Sequence, residues 1–203
     1  MAEMTEIQET RDEQSEFDFT GGRLCLDFTN TVHDRASAPR EMLCSYGDLL
    51  LWGQQAGELS DNDALILRDQ AAQRPFDAAN ALQQAIAERE IIYRIFLAIA
   101  EENLPTAADL DLFNAVLAQT MIHARIVPGA ARFAWHWDAS SARSFERVLW
   151  PVVRSAADLL TSPDLEHVRV CAAEDCGWLF LDESKNHTRR WCDMKTCGNR
   201  AKA

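Results

Sequence analysis

Between residues 24 and 160 the apolar positions recur mainly at helical spacing, and they change to strand spacing in only two places. Phe17 and Phe19 alternate with acidic neighbours and predict a short extended entry, which the Gly21-Gly22 turn closes. Leu24, Phe28 and Val32 then recur at i, i+4 and i+8, which predicts a first helix over residues 24–34 with that row facing a core. Ser45 reads as a helix cap, Ser/Thr-x-x-acid patterns follow at Ser60 and Thr106, and each of the three predicts a helix start. The helices they open run over residues 46–55, from Ser60 to about residue 73, and up to about residue 121. Pro75 separates the second from a long central helix over 77–102, in which Ala85, Ile92, Phe96 and Ile99 form the apolar stripe. Tyr93 and Phe96 read as core residues of that helix.

Strand spacing appears first at 124–127 and 132–137, joined by a Pro128-Gly129 turn. Phe133, Trp135 and Trp137 alternate with Arg132, Ala134 and His136, so a β-hairpin with one strongly apolar face is expected. A last body helix over 141–160 is expected to kink or split at Pro151. Residues 168–170 and 178–181 then read as short strands on either side of a Gly177 turn. The fold class is therefore α+β: a mainly helical body over residues 17–167 with one small hairpin, then a small module over 168–203. Residues 1–16 lack periodicity, carry excess negative charge, and are expected to form a disordered tail. No long linker precedes the terminal module, so it is expected to pack on the body.

The cysteines change the picture most. Cys171 and Cys176 are separated by four residues, as are Cys192 and Cys197, with fifteen residues between the pairs. Two chelating pairs at the ends of a hairpin supply the tetrahedron of soft ligands that Zn²⁺ prefers. The competing readings are two disulfides or four separate buried thiols. About thirty residues bury too little apolar surface to fold alone, and zinc ligation can supply on the order of 10–16 kcal/mol. One zinc per chain is expected, structural rather than catalytic, because four thiolates fill its coordination shell. Removing it is expected to unfold residues 168–203 and leave the body its helix. Cys25 and Cys44 have no partner at ligand spacing and read as small buried hydrophobes.

The tetrad Cys197-Gly198-Asn199-Arg200, with Trp191-Cys192 and Phe180-Leu181-Asp182 before it, resembles the CGNR zinc-finger family. The stretch from Gly21-Gly22-Arg23-Leu24-Cys25 through Leu26-Asp27-Phe28-Thr29-Asn30-Thr31 resembles the opening of the ABATE-type domain that precedes this finger. The resemblance covers nearly the whole chain, with specific motifs at its two ends. It implies a zinc-ribbon or treble-clef-like finger and a bacterial transcription regulator. The family pattern also implies a basic extension after the tetrad. Here six residues follow Cys197, about 9 Å as helix, a short probe for a major groove.

Charge limits where nucleic acid could be met. The formal net charge is −12; residues 1–170 carry −13 and residues 171–203 carry +1. An acidic body repels a phosphate backbone, so any contact falls to Arg189, Arg190, Lys195, Arg200 and Lys202, with Asn199 orienting the loop or reading a base edge. In the body, Asp27, Asn30, Thr31, His33, Asp34 and Arg35 form a polar row. It is the candidate ligand or signal-sensing surface, or else a set of side chains bonded to neighbouring backbone. His136 reads as a strand histidine, because no second ligand stands at metal spacing.

No phosphate-binding loop, nucleophile elbow, H-E-x-x-H or G-x-G-x-x-G occurs, so no enzyme is expected. No apolar run approaches the roughly 18 residues of a membrane span, and the acidic start is unlike a signal peptide, so the cytoplasm is expected. The function expected is a DNA-binding regulator whose body senses or dimerises. The alternatives are a protein-interaction module with a purely structural finger, and a small-molecule sensor whose pocket lies between the first helix and the hairpin.

Overall fold

The computed structural model of the chain describes residues 17–129, 132–138 and 144–201. Six α-helices and three antiparallel strand pairs are found among them: α1 (Leu24–Thr29), β1 (Val32–His33), β2 (Arg40–Glu41), α2 (Tyr46–Gln55), α3 (Asp61–Gln73), α4 (Pro75–Ala100), α5 (Ala107–Met121), β3 (Ala124–Pro128), β4 (Phe133–Trp137), α6 (Trp150–Leu160), β5 (Val168–Val170) and β6 (Leu179–Leu181). The α+β reading holds. The expected tail over 1–16 lies outside the described residues.

The three predicted caps form as their chemistry requires. The Ser45 hydroxyl accepts the Asp48 N–H while the Asp48 carboxylate accepts the Ser45 N–H at 2.7 Å, a complete capping box. Ser60 and Thr106 accept the N–H three residues on in the same way. Pro75 does not merely end α3; it occupies the first turn of α4, where no N–H partner is needed. Pro151 does the same at α6, and a 3₁₀ turn (Phe145–Leu149) stands before it, so the expected split is real. The start of that predicted helix, 141–143, lies outside the described residues.

The first helix is shorter than its periodicity predicts. It stops at Thr29, and Val32 lies in β1, paired with Glu41 of β2. The cause is local: Thr29 and Thr31 hydroxyls donate back to the carbonyls of Leu26 and Phe28, both at 2.8 Å, and the Asn30 side chain is taken by a distant strand. Such side chains offer the backbone an alternative to helix. Val32 is buried all the same, by strand pairing, so the i, i+4, i+8 row imitated a longer helix. Leu24 is only partly buried, whereas Cys25, Leu26 and Phe28 are fully so.

The main core lies where α1 meets α4, α6 and β6. Phe28 meets Trp52 edge to face at 4.8 Å between centroids, and Phe96 is completely buried. Arg89 is buried there as a charge, held by both Glu41 oxygens (2.7 and 2.6 Å), by Glu90 and by the Thr31 hydroxyl. A buried charge needs such complete pairing. The hairpin β3–β4 forms in the expected place, but its apolar face stays largely outside this core: Phe133 is 76% exposed and Trp135 43%.

Candidate metal centre and its seam with the body

β6 pairs with β5 in the register Val168↔Leu181, Val170↔Leu179. Its side chains alternate between two cores, as a strand's period of two dictates. Leu179 and Leu181 enter the main core with Val168, while Phe180 and the neighbouring Trp178 join a second cluster with the four cysteines. Cys171 follows β5, Cys176 precedes the Gly177 turn (φ +69°), and Cys197 lies in a single π turn (Met194–Gly198) capped by Asp193. The four Sγ atoms all lie within 4.8 Å of one another and are buried. Cys192 Sγ stands 3.7 Å from Cys176 Sγ and 3.6 Å from Cys197 Sγ. A tetrahedral zinc with Zn–S of about 2.3 Å sets sulfurs about 3.8 Å apart, so the donor set fits that ion. All four cysteines are free rather than disulfide-bonded, and their clustering sets aside four separate thiols. The site takes one structural Zn²⁺ and leaves no open coordination position.

Second contacts steady the thiols. The Cys192 N–H points at Cys171 Sγ (3.4 Å), and Arg200 donates to Cys197 Sγ at 3.3 Å while pairing with Asp175 at 2.7 Å. Hydrogen bonds from Cys176 and Cys192 pull the Cys171 thiol down towards thiolate. Arg189 lies over the Phe180 ring at 4.4 Å, and its guanidinium donates to the carbonyls of Trp191, Cys192 and Thr20. Asp182, fully buried, accepts the N–H groups of Ser184 (2.9 Å) and Arg189 (2.8 Å). Burial alone would raise its carboxyl, but these donors hold it below the ordinary range.

The polar row predicted in the body forms the seam that seats this module. Asn30 makes a two-way backbone pair with Leu179, donating to its carbonyl at 2.8 Å and accepting its N–H at 3.0 Å. Asp27 accepts the Gly21 N–H at 2.8 Å, which sets the turn whose Gly21 carbonyl accepts the Leu181 N–H. A Cβ on Gly21 would stand 2.9 Å from the Asp27 nitrogen, so only glycine fits. Burial pushes the Asp27 carboxyl up to about 6. Thr31 is the Arg89 partner. Arg35 forks onto Glu90 (2.8 and 2.9 Å), lies over the Tyr93 ring at 4.0 Å, and its N–H reaches the Cys176 carbonyl. Asp34 turns the chain there at φ +52°. His33 stands edge-on to Trp178, whose indole N–H donates to the Val32 carbonyl at 2.8 Å. Burial and nearby Arg40 lower the His33 pKa. Tyr93 donates to the Gly177 carbonyl, a seam role that helical periodicity could not signal.

Family models agree with this two-part geometry and its order. A model described as "Putative stress-induced transcription regulator", ABATE, matches residues 22–163, and a CGNR zinc-finger model matches residues 167–203. The chain belongs to the ABATE family. A search of curated proteins returns no match.

In this ABATE protein the candidate nucleic-acid residues do not behave alike. Arg190 and Lys195 are exposed, Arg190 packing on Trp191. Asn199 and Arg200 are exposed but bonded within the finger, to the Lys195 carbonyl and to Asp175. Arg189 is turned inward, and Lys202 lies outside the described residues. A cleft of about 490 Å³ runs along the seam, with Lys195, Asn199 and Arg200 on the finger side and His33, Asp34 and Arg40 on the body side. Arg40 is a body cation that sequence order placed far from the finger, and only β1–β2 pairing brings it there. Cys25 is fully buried and its thiol is pushed up to about 12 by that burial, so it offers no nucleophile. No helix among the described residues is long and apolar enough to cross a membrane.

Proposed function

We propose that the protein is a cytoplasmic transcription regulator of the binding, non-catalytic kind, whose finger contacts DNA and whose body senses a signal or forms a homodimer. The observation that supports this reading is that exposed Lys195 lines the cleft beside the four-cysteine cluster together with Arg40, while exposed Arg190 packs on Trp191 of the same finger, within the family context above. Arg190, Lys195, Arg200 and Lys202 would meet phosphates, and Asn199 would lie beside a base edge once its loop is presented. Arg189 serves the fold of the finger instead. The thiolates temper the attraction, because a four-thiolate zinc carries a formal charge of about −2.

The test is anisotropy of a labelled duplex pool with zinc-loaded protein from about 50 to 200 mM salt. Four phosphate contacts give a log–log slope of about −3.6. Replacing Arg190 and Lys195 together by Ala is expected to make it shallower by nearly 2. A second reading, a protein-interaction module with a structural finger, is favoured by the Arg200–Asp175 pair, which occupies the tetrad's own cation. Absence of binding at about 50 mM salt, or a slope unchanged in the double variant, sinks the DNA reading in favour of that module.

A further inference from the structure

The polar row at the seam is committed to the fold, yet an open cleft stands elsewhere. It lies between the start of α1, the α2–α3 turn, α6 and β4, and its volume is about 680 Å³, within the usual range for small-ligand sites. Trp135 and Trp137 supply aromatic wall, and Leu24 and Pro151 supply aliphatic wall. Trp135 is 43% exposed, an unusual cost for a tryptophan with nothing to cover it.

Most charges at this cleft are matched. Arg23 pairs with Asp164 at 2.6 Å, Arg147 with Asp63 at 3.0 Å, and Arg154 with Asp158 at 3.1 Å. Two groups remain incompletely matched. Arg154 lies against the Trp135 ring at 4.9 Å with its Nε buried and without a hydrogen-bond partner. Glu58 has no ion-pair partner among the described residues, although it lies close enough to Arg154 to feel its charge. A buried donor without an acceptor is costly and uncommon in native proteins. The cleft thus presents a guanidinium only partly engaged by Asp158, a carboxylate without an ion pair and an aromatic face together.

We propose that this cleft binds a small aromatic zwitterion of the α-amino-acid type, with its ring against Trp135, its carboxylate on Arg154 and its ammonium on Glu58. Neither a simple acid nor a simple amine satisfies both groups. A ligand here also touches the finger's support, because Arg23 reaches Glu183 of the finger at 3.2 Å. The inference is independent of the DNA reading.

Calorimetric titration of the full zinc-loaded chain with three probes of one ring tests it: L-phenylalanine, 3-phenylpropanoate, which lacks the amine, and phenethylamine, which lacks the carboxylate. Phenylalanine is expected to bind saturably, and each truncated probe about 10-fold or more weaker, the scale of one charge-assisted hydrogen bond. Glu58→Gln is expected to weaken phenylalanine and spare 3-phenylpropanoate; Arg154→Gln is expected to weaken phenylalanine and spare phenethylamine. Trp135→Leu, at an exposed position, is expected to weaken all three. Circular dichroism of each variant separates lost binding from lost fold. No saturable heat with phenylalanine up to about 10 mM, well above a 1 mM dissociation constant, overturns the proposal. So does 3-phenylpropanoate or phenethylamine matching phenylalanine, or phenylalanine affinity unchanged in folded Glu58→Gln and Arg154→Gln.

Discussion

Asn30 and Asp27 carry more of this structure than their small size suggests. Asn30 satisfies both backbone groups of Leu179 inside the protein. Asn30→Ala leaves two buried groups unpaired, at about 1–3 kcal/mol each, so a loss of roughly 2–6 kcal/mol is expected in urea unfolding. A loss under about 0.5 kcal/mol, the level of a neutral surface change, would deny Asn30 this role.

Asp27 works in the opposite sense. Its carboxyl ionises at about 6 when folded against 3.8 unfolded, so between those values the native state holds the extra proton. Its contribution is fully present below about pH 4 and is lost as pH rises through about 6. Asp27→Asn keeps an oxygen for the Gly21 N–H and removes the buried charge. It is expected to stabilise by roughly 1–3 kcal/mol at pH 8 and by almost nothing at pH 3.5. Equal effects at the two pH values would exclude this account.

At the scale of elements, β6 decides how metal and fold are coupled. The cysteine spacing alone suggests that chelation unfolds only residues 168–203. Leu179 and Leu181, however, belong to the main core, and burying a leucine is worth about 1.5–3 kcal/mol. Removing zinc is therefore expected to lower the melting temperature of the helical signal itself, in one transition shared with the finger. Differential scanning calorimetry with and without chelator would show it; an unmoved helical transition would mean the two cores are uncoupled. Purified without added metal, the chain is expected to carry about one zinc, and Cys197→Ser to lose most of it, by elemental analysis.

For the whole molecule the same sharing makes the body an incomplete domain. A fragment ending at residue 167 lacks β5 and β6, and leaves Asn30, Tyr93 and the Gly21 carbonyl without their partners. It is expected to show helix by far-ultraviolet dichroism but poor near-ultraviolet signal and exposed apolar surface, as loosely packed states do. A fragment melting as cooperatively as the full chain would argue against the shared core.

Much of this was legible along the chain, because it depends on neighbours in sequence. Capping at Ser45, Ser60 and Thr106 closes within three residues, Pro75 and Pro151 act on their own backbone, and the spacing of four cysteines states the ligand set. The polar row Asp27–Arg35 was legible as a group but not in its role, since its partners Leu179, Glu90 and Cys176 lie 55 to 149 residues away or nearly so. Periodicity misread Val32 because burial looks the same whether a strand or a helix provides it. Basic residues could be counted, yet whether Arg189 faces solvent or the Phe180 ring depends on how the metal loop folds. Sequence alone determined the helices beyond the first, the order of body and finger, and the four thiols, all set by local backbone chemistry and ligand spacing. Tertiary structure alone decided that β6 belongs to two cores, that Arg40 lines a cleft shared with the finger, and that Arg154 and Glu58 share a cleft, because each rests on placements that only the packed chain brings together.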